Sequence, residues 1–374
     1  MKLAGKCIAF RADASLEAGS GHVMRCLTLA DALREQGAKC WFICRAHPGH
    51  LADLISARDH RCHLLTAKPD SEQEPAGISL LAHASWLGCG WEQDAEQTQT
   101  ILAELQPDWL VVDHYALDSC WEKILRPHVG CIMVIDDLAD RTHDCDLLLD
   151  QNLGRQPDDY RERVPLHCTL LVGPRYSLLR PEFAALREYS RERRQIPTLK
   201  QVLITMGGVD KPNATGRVLE ALRQAPLPDD CRICVVMGAK APWLVQVEAL
   251  AATLPWPTTV LANVSNIAQL MADSDLAIGA AGSTSWERCC LGLPTLMFVI
   301  ADNQREVAHH LMSAGAAAVY MLTDNLEDNV INWLHSYVSE PEASINMLKN
   351  ARKITDGLGV CRVIDIIASI SMER

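Results

Sequence analysis

A glycine-flanked histidine near the amino end offers the clearest chemistry in the sequence. Gly19-Ser-Gly-His22 follows a short apolar strand candidate, and apolar residues then recur at helical spacing up to Gly37. We therefore expect a strand, a glycine turn and a helix, in which Gly19 and Gly21 leave backbone N–H groups open to a ligand. The helix dipole disfavours a positively charged ring on His22, so this residue is a candidate general base. The same pattern also suits an ordinary polar cap.

A second glycine-rich turn lies in the carboxyl half, again after an apolar strand candidate. Gly279 and Gly282 leave the backbone accessible, and Ser283 and Thr284 open a helix whose N–H groups suit a diphosphate. Glu287, in the first turn, is a candidate contact to ribose hydroxyls. Thr284 and Glu287 alone also fit a capping box, but that interpretation does not account for the two glycines.

Further candidates follow other predicted strands. One buried strand candidate ends in Asp113 and Tyr115, and ligands of parallel sheets bind beyond the carboxyl ends of strands, so both residues are expected to bind substrate on the same rim as His22. Asp13 is a catalytic candidate that orients the His22 imidazole, and it equally suits a cap of the loop.

Two more turns complete the candidate set. Gly207 and Gly208 follow the first strand of the carboxyl half and repeat the strand, glycine, helix order of the amino half. Asp136 and Asp137 follow another apolar strand, where capping or turn formation is the favoured interpretation.

Strand and helix candidates alternate in both halves, which predicts an α/β protein with two parallel sheets. A polar segment at 176–194 is expected to connect a Rossmann-like domain at 1–185 to a second one at 195–357. The C-terminal helix, 358–374, is a candidate to complete the first domain. After residue 300 only helices are expected.

Composition excludes several classes of partner. The chain has 374 residues, enough for two domains, and 48% hydrophobic with 22% charged residues is a globular balance. The net charge of −12 argues against nucleic acid, since no basic stretch is present. No run of 18 apolar residues and no signal-peptide pattern is found, so no membrane partner and a cytoplasmic location are expected.

No metal and no cofactor are expected. Asp144-Cys-Asp146 and Asp273-Ser-Asp275 have the spacing used by metal-dependent nucleotide-sugar enzymes, but neither follows a strand as that site requires. The 15 cysteines lie mainly in apolar segments, as expected for buried thiols in a reducing compartment.

These motifs resemble two related families. The segment from Gly279 to Pro294 looks like the nucleotide-binding region of GT-B glycosyltransferases, such as the UDP-N-acetylglucosamine transferase of peptidoglycan synthesis. A narrower resemblance is to the bacterial UDP-2,4-diacetamido-2,4,6-trideoxy-β-L-altropyranose hydrolases of pseudaminic acid biosynthesis. The motifs that carry it span most of the chain and are Arg11-Ala-Asp13, Gly19-Ser-Gly-His22, Val112-Asp-His-Tyr115, Val134-Ile-Asp-Asp-Leu-Ala139, Asp150-Gln-Asn-Leu153, Leu179-Arg-Pro-Glu-Phe183 and Met206-Gly-Gly208.

The resemblance implies a GT-B fold, with two Rossmann-like domains that face each other across a cleft. It implies a metal-independent hydrolase that cleaves the anomeric C–O bond of a UDP-sugar with inversion. The family's catalytic histidine falls on His22, its UDP contacts fall on Gly282 and Glu287, and Arg180 of the matching motif is taken as a further substrate contact. The region 68–91 departs from the family, so sugar contacts there are not assigned.

Two other functions remain open. A GT-B glycosyltransferase would pass the sugar from UDP to an acceptor, and for a lipid acceptor it would need an exposed apolar and basic face that this acidic chain does not show. A non-catalytic UDP-sugar-binding protein would keep Gly282 and Glu287 and make no use of His22. In each case the expected partner is a small-molecule UDP-sugar.

Overall fold

The computed structural model describes residues 2–66, 81–262, 264–323 and 325–373. The chain divides into two compact units, Met1–Leu178 together with Gly359–Arg374, and Leu179–Leu358. Part of the region that departs from the resembled family, 67–80, lies outside the described residues. No described helix combines the length and the apolar character needed to cross a membrane.

The first unit is built on a parallel sheet with seven strands among the described residues. The strands are β1 (Cys7–Ala12), β2 (Lys39–Arg45), β3 (Arg61–Leu65), β4 (Trp109–Asp113), β5 (Cys131–Ile135), β6 (Leu147–Asp150) and β7 (Thr169–Val172). Their order is β3-β2-β1-β4-β5-β6-β7, and every neighbouring pair is parallel. The order reverses between β1 and β4, where open α/β sheets bind their ligands.

Helices cover both faces of this sheet. They are α1 (Gly21–Glu35), α2 (Ala52–Ala57), α3 (Trp91–Leu105) and α4 (Ser119–Leu125). One apolar cluster joins α1 to alternate residues of the central strands, and a second joins α3 and α4 to the residues that point the other way. This two-sided burial explains why the strands consist of nearly continuous apolar residues.

The second unit repeats the architecture with six described strands in the order β10-β9-β8-β11-β12-β13. They are β8 (Gln201–Thr205), β9 (Arg232–Met237), β10 (Thr258–Ala262), β11 (Leu276–Ala280), β12 (Thr295–Val299) and β13 (Ala318–Met321). The expectation of helices alone after residue 300 is wrong, because β13 pairs with β12 at the sheet edge. The order reverses between β8 and β11.

The remaining helices follow the chain into the second unit and back to the first. They are α5 (Pro181–Arg193), α6 (Ala214–Leu222), α7 (Leu244–Ala251), α8 (Ile267–Asp273), α9 (Thr284–Leu291), α10 (Arg305–Ser313), α11 (Leu326–Ser339), α12 (Pro341–Ile354) and α13 (Gly359–Glu373). Apolar residues of α13 join the core that contains α1, and the Trp109 indole N–H donates to Ser371 Oγ at 2.8 Å.

The polar segment at 176–194 is more than a connection. Most of it is α5, which belongs to the second unit. Ser190 Oγ donates to the Leu291 carbonyl at 2.7 Å, and Arg194 donates to the Met271 carbonyl at 2.6 Å. The polar side chains of this segment therefore include two buried groups, Ser190 and Arg194, that bind carbonyl groups near the ends of α9 and α8.

Candidate active site

The first unit pairs the candidate base with a buried carboxylate. His22 is the second residue of α1, and its Nδ1 lies 2.6 Å from Oδ1 of Asp113, the last residue of β4. Because an ionised carboxylate only accepts hydrogen bonds, Nδ1 carries the proton and Nε2 keeps its lone pair. His22 Nε2 has no hydrogen-bond partner among the described residues. This arrangement is chemically suited to remove a proton from water.

An arginine one helical turn further on holds the carboxylate. Arg25 donates from Nε to Asp113 Oδ2 at 2.6 Å and from Nη2 to Asp113 Oδ1 at 2.7 Å. Burial by itself raises the pKa of Asp113, but the Arg25 guanidinium and the His22 ring outweigh it and hold the pKa below its ordinary value. Asp113 therefore stays ionised at neutral pH and fixes the orientation of His22.

Asp137 extends the network on the other side of Arg25. Its Oδ2 lies 2.7 Å from Arg25 Nη1 and accepts a hydrogen bond from the Tyr115 hydroxyl, also at 2.7 Å. Burial, together with the Asp137 carboxylate, raises the pKa of Tyr115 well above its ordinary value. The Tyr115 ring meets the His22 ring edge to face, with centroids 4.6 Å apart. The Tyr115 hydroxyl is therefore a neutral donor used within the protein.

The structure corrects the role predicted for Asp13. Asp13 Oδ1 accepts from Arg11 Nη1 at 2.7 Å and from the Arg45 backbone N–H at 2.6 Å, and Oδ2 lies 3.4 Å from His114 Nε2. No contact joins Asp13 to His22 in the described residues. Asp13 therefore ties β1 to β2, and Asp113 is the carboxylate that orients the imidazole.

Asp113 was predicted as a substrate contact, and its burial contradicts this. The residue is 0% exposed, and both of its oxygens are bonded to Arg25. Arg25 and Asp137 were not predicted as site residues. The sequence nevertheless contained evidence for both. Arg25 is one helical turn from His22, and Asp137 follows β5, the strand next to β4.

The loop before His22 has the backbone shape that requires glycine. Gly19 has φ +79°, and it exchanges two backbone hydrogen bonds with Ser15, at 2.9 and 3.2 Å. Gly21 is the first residue of α1, and Ser20, the cap, makes no side-chain hydrogen bond to the helix. Substrate binding by Gly19 and Gly21 stays a prediction.

In the second unit, the turn from β11 to α9 presents an open helix start. The cap residue of α9 is Ser283, which makes no side-chain capping hydrogen bond. The backbone N–H groups of Gly282 and Ser283 have no acceptor among the described residues. A Cβ added to Gly282 would meet nothing within 4 Å. Backbone donors at a helix start are suited to an anion.

Glu287 lies in the first turn of α9, and its pKa is raised. The capping-box alternative is wrong, because Ser283 and not Thr284 caps α9, and the Glu287 carboxylate makes no hydrogen bond with the described residues. Burial raises the pKa of Glu287 to about 7, although the Arg180 and Arg288 guanidinium groups act in the opposite direction. A carboxylate without a partner is available to accept from a ligand's hydroxyl groups.

Arg180, the cap residue of α5, is held near the same helix. Its Nη1 lies 3.1 Å from Glu182 Oε1 and donates to the Ser265 carbonyl at 3.4 Å. Its guanidinium also lies 5.4 Å from the centre of the Phe183 ring. The Arg180 guanidinium is close enough to Glu287 to lower the pKa of that carboxyl. Contact between Arg180 and substrate stays a prediction.

The turn that holds Gly207 and Gly208 differs from the other two. Asp210 accepts hydrogen bonds from the first backbone N–H groups of α6, at 2.9 and 2.8 Å. A Cβ on Gly238 would lie 2.1 Å from the Gly208 carbonyl oxygen, so two loops touch here through their backbones. The start of α6 is already satisfied by protein groups, and substrate binding by Gly207 and Gly208 stays a prediction.

The acidic pairs with metal-site spacing are bonded to arginines and a tyrosine. Arg126 contacts both Asp144 and Asp146, at 3.1 and 2.5 Å. Asp273 accepts from the Tyr189 hydroxyl at 2.7 Å, and Asp275 pairs with Arg193 at 2.5 Å. Within the described residues no group of three or more His, Cys, Asp or Glu side chains is arranged to hold a metal ion.

Comparison with solved structures defines the fold. The crystal structure of Acinetobacter baumannii MurG superposes with a TM-score of 0.68 at 17% identity, over 97% of this chain and 99% of that one. The S. aureus MnaA–UDP co-structure gives 0.60 at 13% identity, over 97% and 96%. The protein therefore has two parallel-sheet α/β domains with the GT-B fold, as the sequence predicted.

Sequence relatives narrow the comparison. Residues 202–358 match the model of the glycosyltransferase family 28 C-terminal domain. The UDP-2,4-diacetamido-2,4,6-trideoxy-beta-L-altropyranose hydrolase of Campylobacter jejuni is 25% identical over 313 residues, 84% of this chain and 98% of that protein. The spore coat polysaccharide biosynthesis protein SpsG of Bacillus subtilis is 28% identical over 216 residues, 57% of this chain and 62% of that protein.

Proposed function

We propose that the protein is an enzyme that hydrolyses a UDP-diacetamido-trideoxyhexose to UDP and the free sugar, with inversion and without a metal. The observation that carries the proposal is the 2.6 Å contact between His22 Nδ1 and the buried Asp113, which leaves Nε2 as a proton acceptor. The relative of Campylobacter jejuni, a hydrolase of such a UDP-sugar, supports the substrate class over 84% of this chain.

The proposed reaction is a single displacement at the anomeric carbon. His22 Nε2 takes a proton from water, the water oxygen forms a bond to the anomeric carbon, and the C–O bond to UDP breaks. The electron pair of that bond stays on the diphosphate oxygen. Asp113 and Arg25 hold the imidazole, and Asp113 stabilises the imidazolium that forms.

The second unit supplies the groups suited to the leaving UDP. The unpaired N–H groups of Gly282 and Ser283 at the start of α9 stabilise the negative charge of the diphosphate. Glu287 accepts hydrogen bonds from the ribose hydroxyls. UDP is a weakly basic leaving group, so the proposal needs no separate general acid.

A glycosyltransferase is the alternative, and the family 28 match over 202–358 favours it. A transferase would use the same UDP-sugar and pass the sugar to an acceptor hydroxyl that His22 deprotonates. The two activities separate when no acceptor is supplied.

The test is incubation with the UDP-diacetamido sugar alone, in EDTA, with UDP release measured and the anomeric product followed by proton NMR. Stoichiometric UDP and an inverted free sugar are expected, and His22→Ala should lower kcat by about 10²-fold or more. His60→Ala is the matched control, because His60 Nε2 contacts Asp31 at 2.8 Å and is not part of the proposed site.

The possible outcomes separate the candidate functions. Release that needs an added acceptor would point to the transferase, and an effect of His22→Ala no larger than that of His60→Ala would exclude the base. Turnover lost in EDTA and restored by Mg²⁺ would refute metal independence. Binding of the UDP-sugar without turnover, with or without acceptors, would indicate a binding protein.

A further inference from the structure

An aromatic cluster lies against His22 and has no role in the chemistry above. Trp86 belongs to a short 3-10 helix, Ala84–Leu87, and its indole stacks on the Tyr115 ring with centroids 5.7 Å apart and an interplanar angle of 28°. The His83 ring lies 4.4 Å from Trp86 and 5.3 Å from Tyr115. The His22 ring meets Trp86 edge to face at 6.5 Å. We call His83, Trp86 and Tyr115 the aromatic wall.

The aromatic wall is held in place by the protein. Leu87, next to Trp86, is 1% exposed and belongs to the core. Gly88 ends the short helix with φ +72°, and a Cβ there would lie 2.6 Å from His47 Cε1. The Tyr115 hydroxyl is fixed by Asp137. Rings that are already ordered bind a ligand with little loss of conformational entropy.

Trp86 is not explained as a core residue. It is half-buried, and it is absent from the apolar cluster to which its neighbour Leu87 belongs. Its indole N–H has no acceptor among the described residues. An aromatic face with an unused donor, beside a candidate base, is a common arrangement in sites that orient a small ligand.

The chemistry of the aromatic wall selects a kind of sugar. Aromatic faces pack favourably against C–H and methyl groups, whereas hydroxyl groups placed there lose hydrogen bonds to water. An indole N–H donates to a carbonyl oxygen, as an acetamido group provides. A deoxy sugar with acetamido groups offers both a methyl group for the aromatic faces and a carbonyl oxygen for the indole N–H. A hexose that carries only hydroxyl groups offers neither a methyl group nor an amide carbonyl.

We propose that the aromatic wall is the subsite for the methyl and acetamido groups of the sugar, with Trp86 Nε1–H as donor to an acetamido carbonyl. The proposal rests on the function proposed above, because it assumes that a sugar is bound beside His22. It makes Trp86 a specificity-determining residue and not part of the bond-breaking chemistry.

The test compares Trp86→Leu with Trp333→Leu. Trp333 is a matched control because it stacks on Tyr337 in the second unit, with centroids 4.8 Å apart and an interplanar angle of 29°. We expect Trp86→Leu to lower kcat/KM for the UDP-diacetamido-trideoxyhexose by about threefold to tenfold, mainly through KM, the range expected for one aromatic contact. The loss of kcat/KM should be smaller for UDP-N-acetylglucosamine. Trp333→Leu should leave kcat/KM unchanged for both substrates. Trp86→Phe should restore part of the loss.

A binding measurement keeps this inference separate from the hydrolysis itself. Saturation-transfer NMR on the same UDP-sugar should show transfer to the sugar methyl groups in the wild type and in Trp333→Leu, and a reduced signal in Trp86→Leu. If the signal is reduced in Trp86→Leu but neither the wild type nor any variant hydrolyses the UDP-sugar, the subsite is supported and the proposed hydrolase activity is refuted. Equal signals and equal kinetics in the two leucine variants, or no methyl signal in the wild type, would overturn the subsite.

Discussion

Replacing Asp113 with asparagine tests the proposed base most directly. The substitution keeps the shape of the side chain and removes its charge, in a residue that is 0% exposed. Asp113 Oδ1 accepts from both His22 Nδ1 and Arg25 Nη2, and Oδ2 accepts from Arg25 Nε. An amide nitrogen at either position therefore faces at least one N–H donor, so no orientation of asparagine preserves the whole network.

The size of the effect follows from the geometry. Unit charges 2.6 Å apart, the separation of His22 Nδ1 and Asp113 Oδ1, interact by about 6 kcal/mol at an effective dielectric constant of about 20. Arg25 offsets part of this attraction. We expect a loss of about 3–5 kcal/mol of transition-state stabilisation, which is about 10²-fold to 10⁴-fold in kcat. KM should change little, because Asp113 does not reach the substrate.

The assay is UDP release under saturating UDP-sugar, with ¹⁵N NMR of the His22 ring to report its tautomer. Asp31→Asn is the matched control, because Asp31 also bridges a histidine and an arginine, His60 and Arg58, each at 2.8 Å. The reasoning is refuted if Asp113→Asn keeps more than about a tenth of the wild-type kcat, or if Asp31→Asn loses as much.

Unfolding must be separated from lost chemistry in the same variant. Arg25 retains its ion pair with Asp137 after the substitution. We therefore expect the free energy of unfolding at neutral pH to fall by about 3 kcal/mol, the low end of the range for a broken buried ion pair. The folded pKa of Asp113 is below its ordinary value, so its stabilisation is present above the unfolded pKa of about 4 and is lost as pH falls toward the folded pKa. The stability difference between wild type and Asp113→Asn should therefore narrow in acid.

Three other predictions concern the second unit. Because the pKa of Glu287 is about 7, its carboxylate ionises between about pH 6 and about pH 8. UDP should therefore inhibit the wild type more strongly than Glu287→Gln, and the ratio of their inhibition constants should widen as pH rises through this range. A ratio that does not change with pH would contradict this prediction. Gly282→Ala should weaken UDP binding at unchanged melting temperature, since the added Cβ meets only open space. Gly279→Ala should instead cost about 1–3 kcal/mol of stability, because its Cβ would lie 2.2 Å from Arg288 Nη1 and 2.7 Å from the Thr205 carbonyl oxygen; equal melting temperatures for the two variants would contradict this contrast.

The fold was predictable because its signals are local. Apolar runs of strand length alternate with helical periodicity, and this pattern alone predicts two parallel sheets. The strand β13 was missed because it is an edge strand of only four residues, Ala318–Met321, whose residues are half-buried or exposed. Such a strand lacks the continuous apolar character that marks the central ones.

The partners of His22 were harder to predict than His22 itself. Asp13 follows β1 and Asp113 is the last residue of β4, so both reach the same rim, and spacing does not say which carboxylate the imidazole contacts. The choice depends on where Arg11 and Arg25 lie, since each binds one of the two carboxylates. The Arg11–Asp13 contact spans 2 residues of sequence, and the Arg25–Asp113 contact spans 88. The second contact depends on the packing of α1 against β4, which the sequence pattern does not specify.

The two units share a strand order and use it differently. In the first unit the helix after the first strand, α1, carries His22. In the second unit the corresponding helix, α6, has its starting N–H groups occupied by Asp210, and the open helix start belongs to α9, beyond β11. A helix start that is already capped by a carboxylate repels an anion. The order of strands reverses between β8 and β11, and of the two helices that follow these strands only α9 lacks an acidic cap. The phosphate site is therefore expected at the start of α9. Repeated topology thus fixes where a site can form, and the capping residues determine which helix end is used.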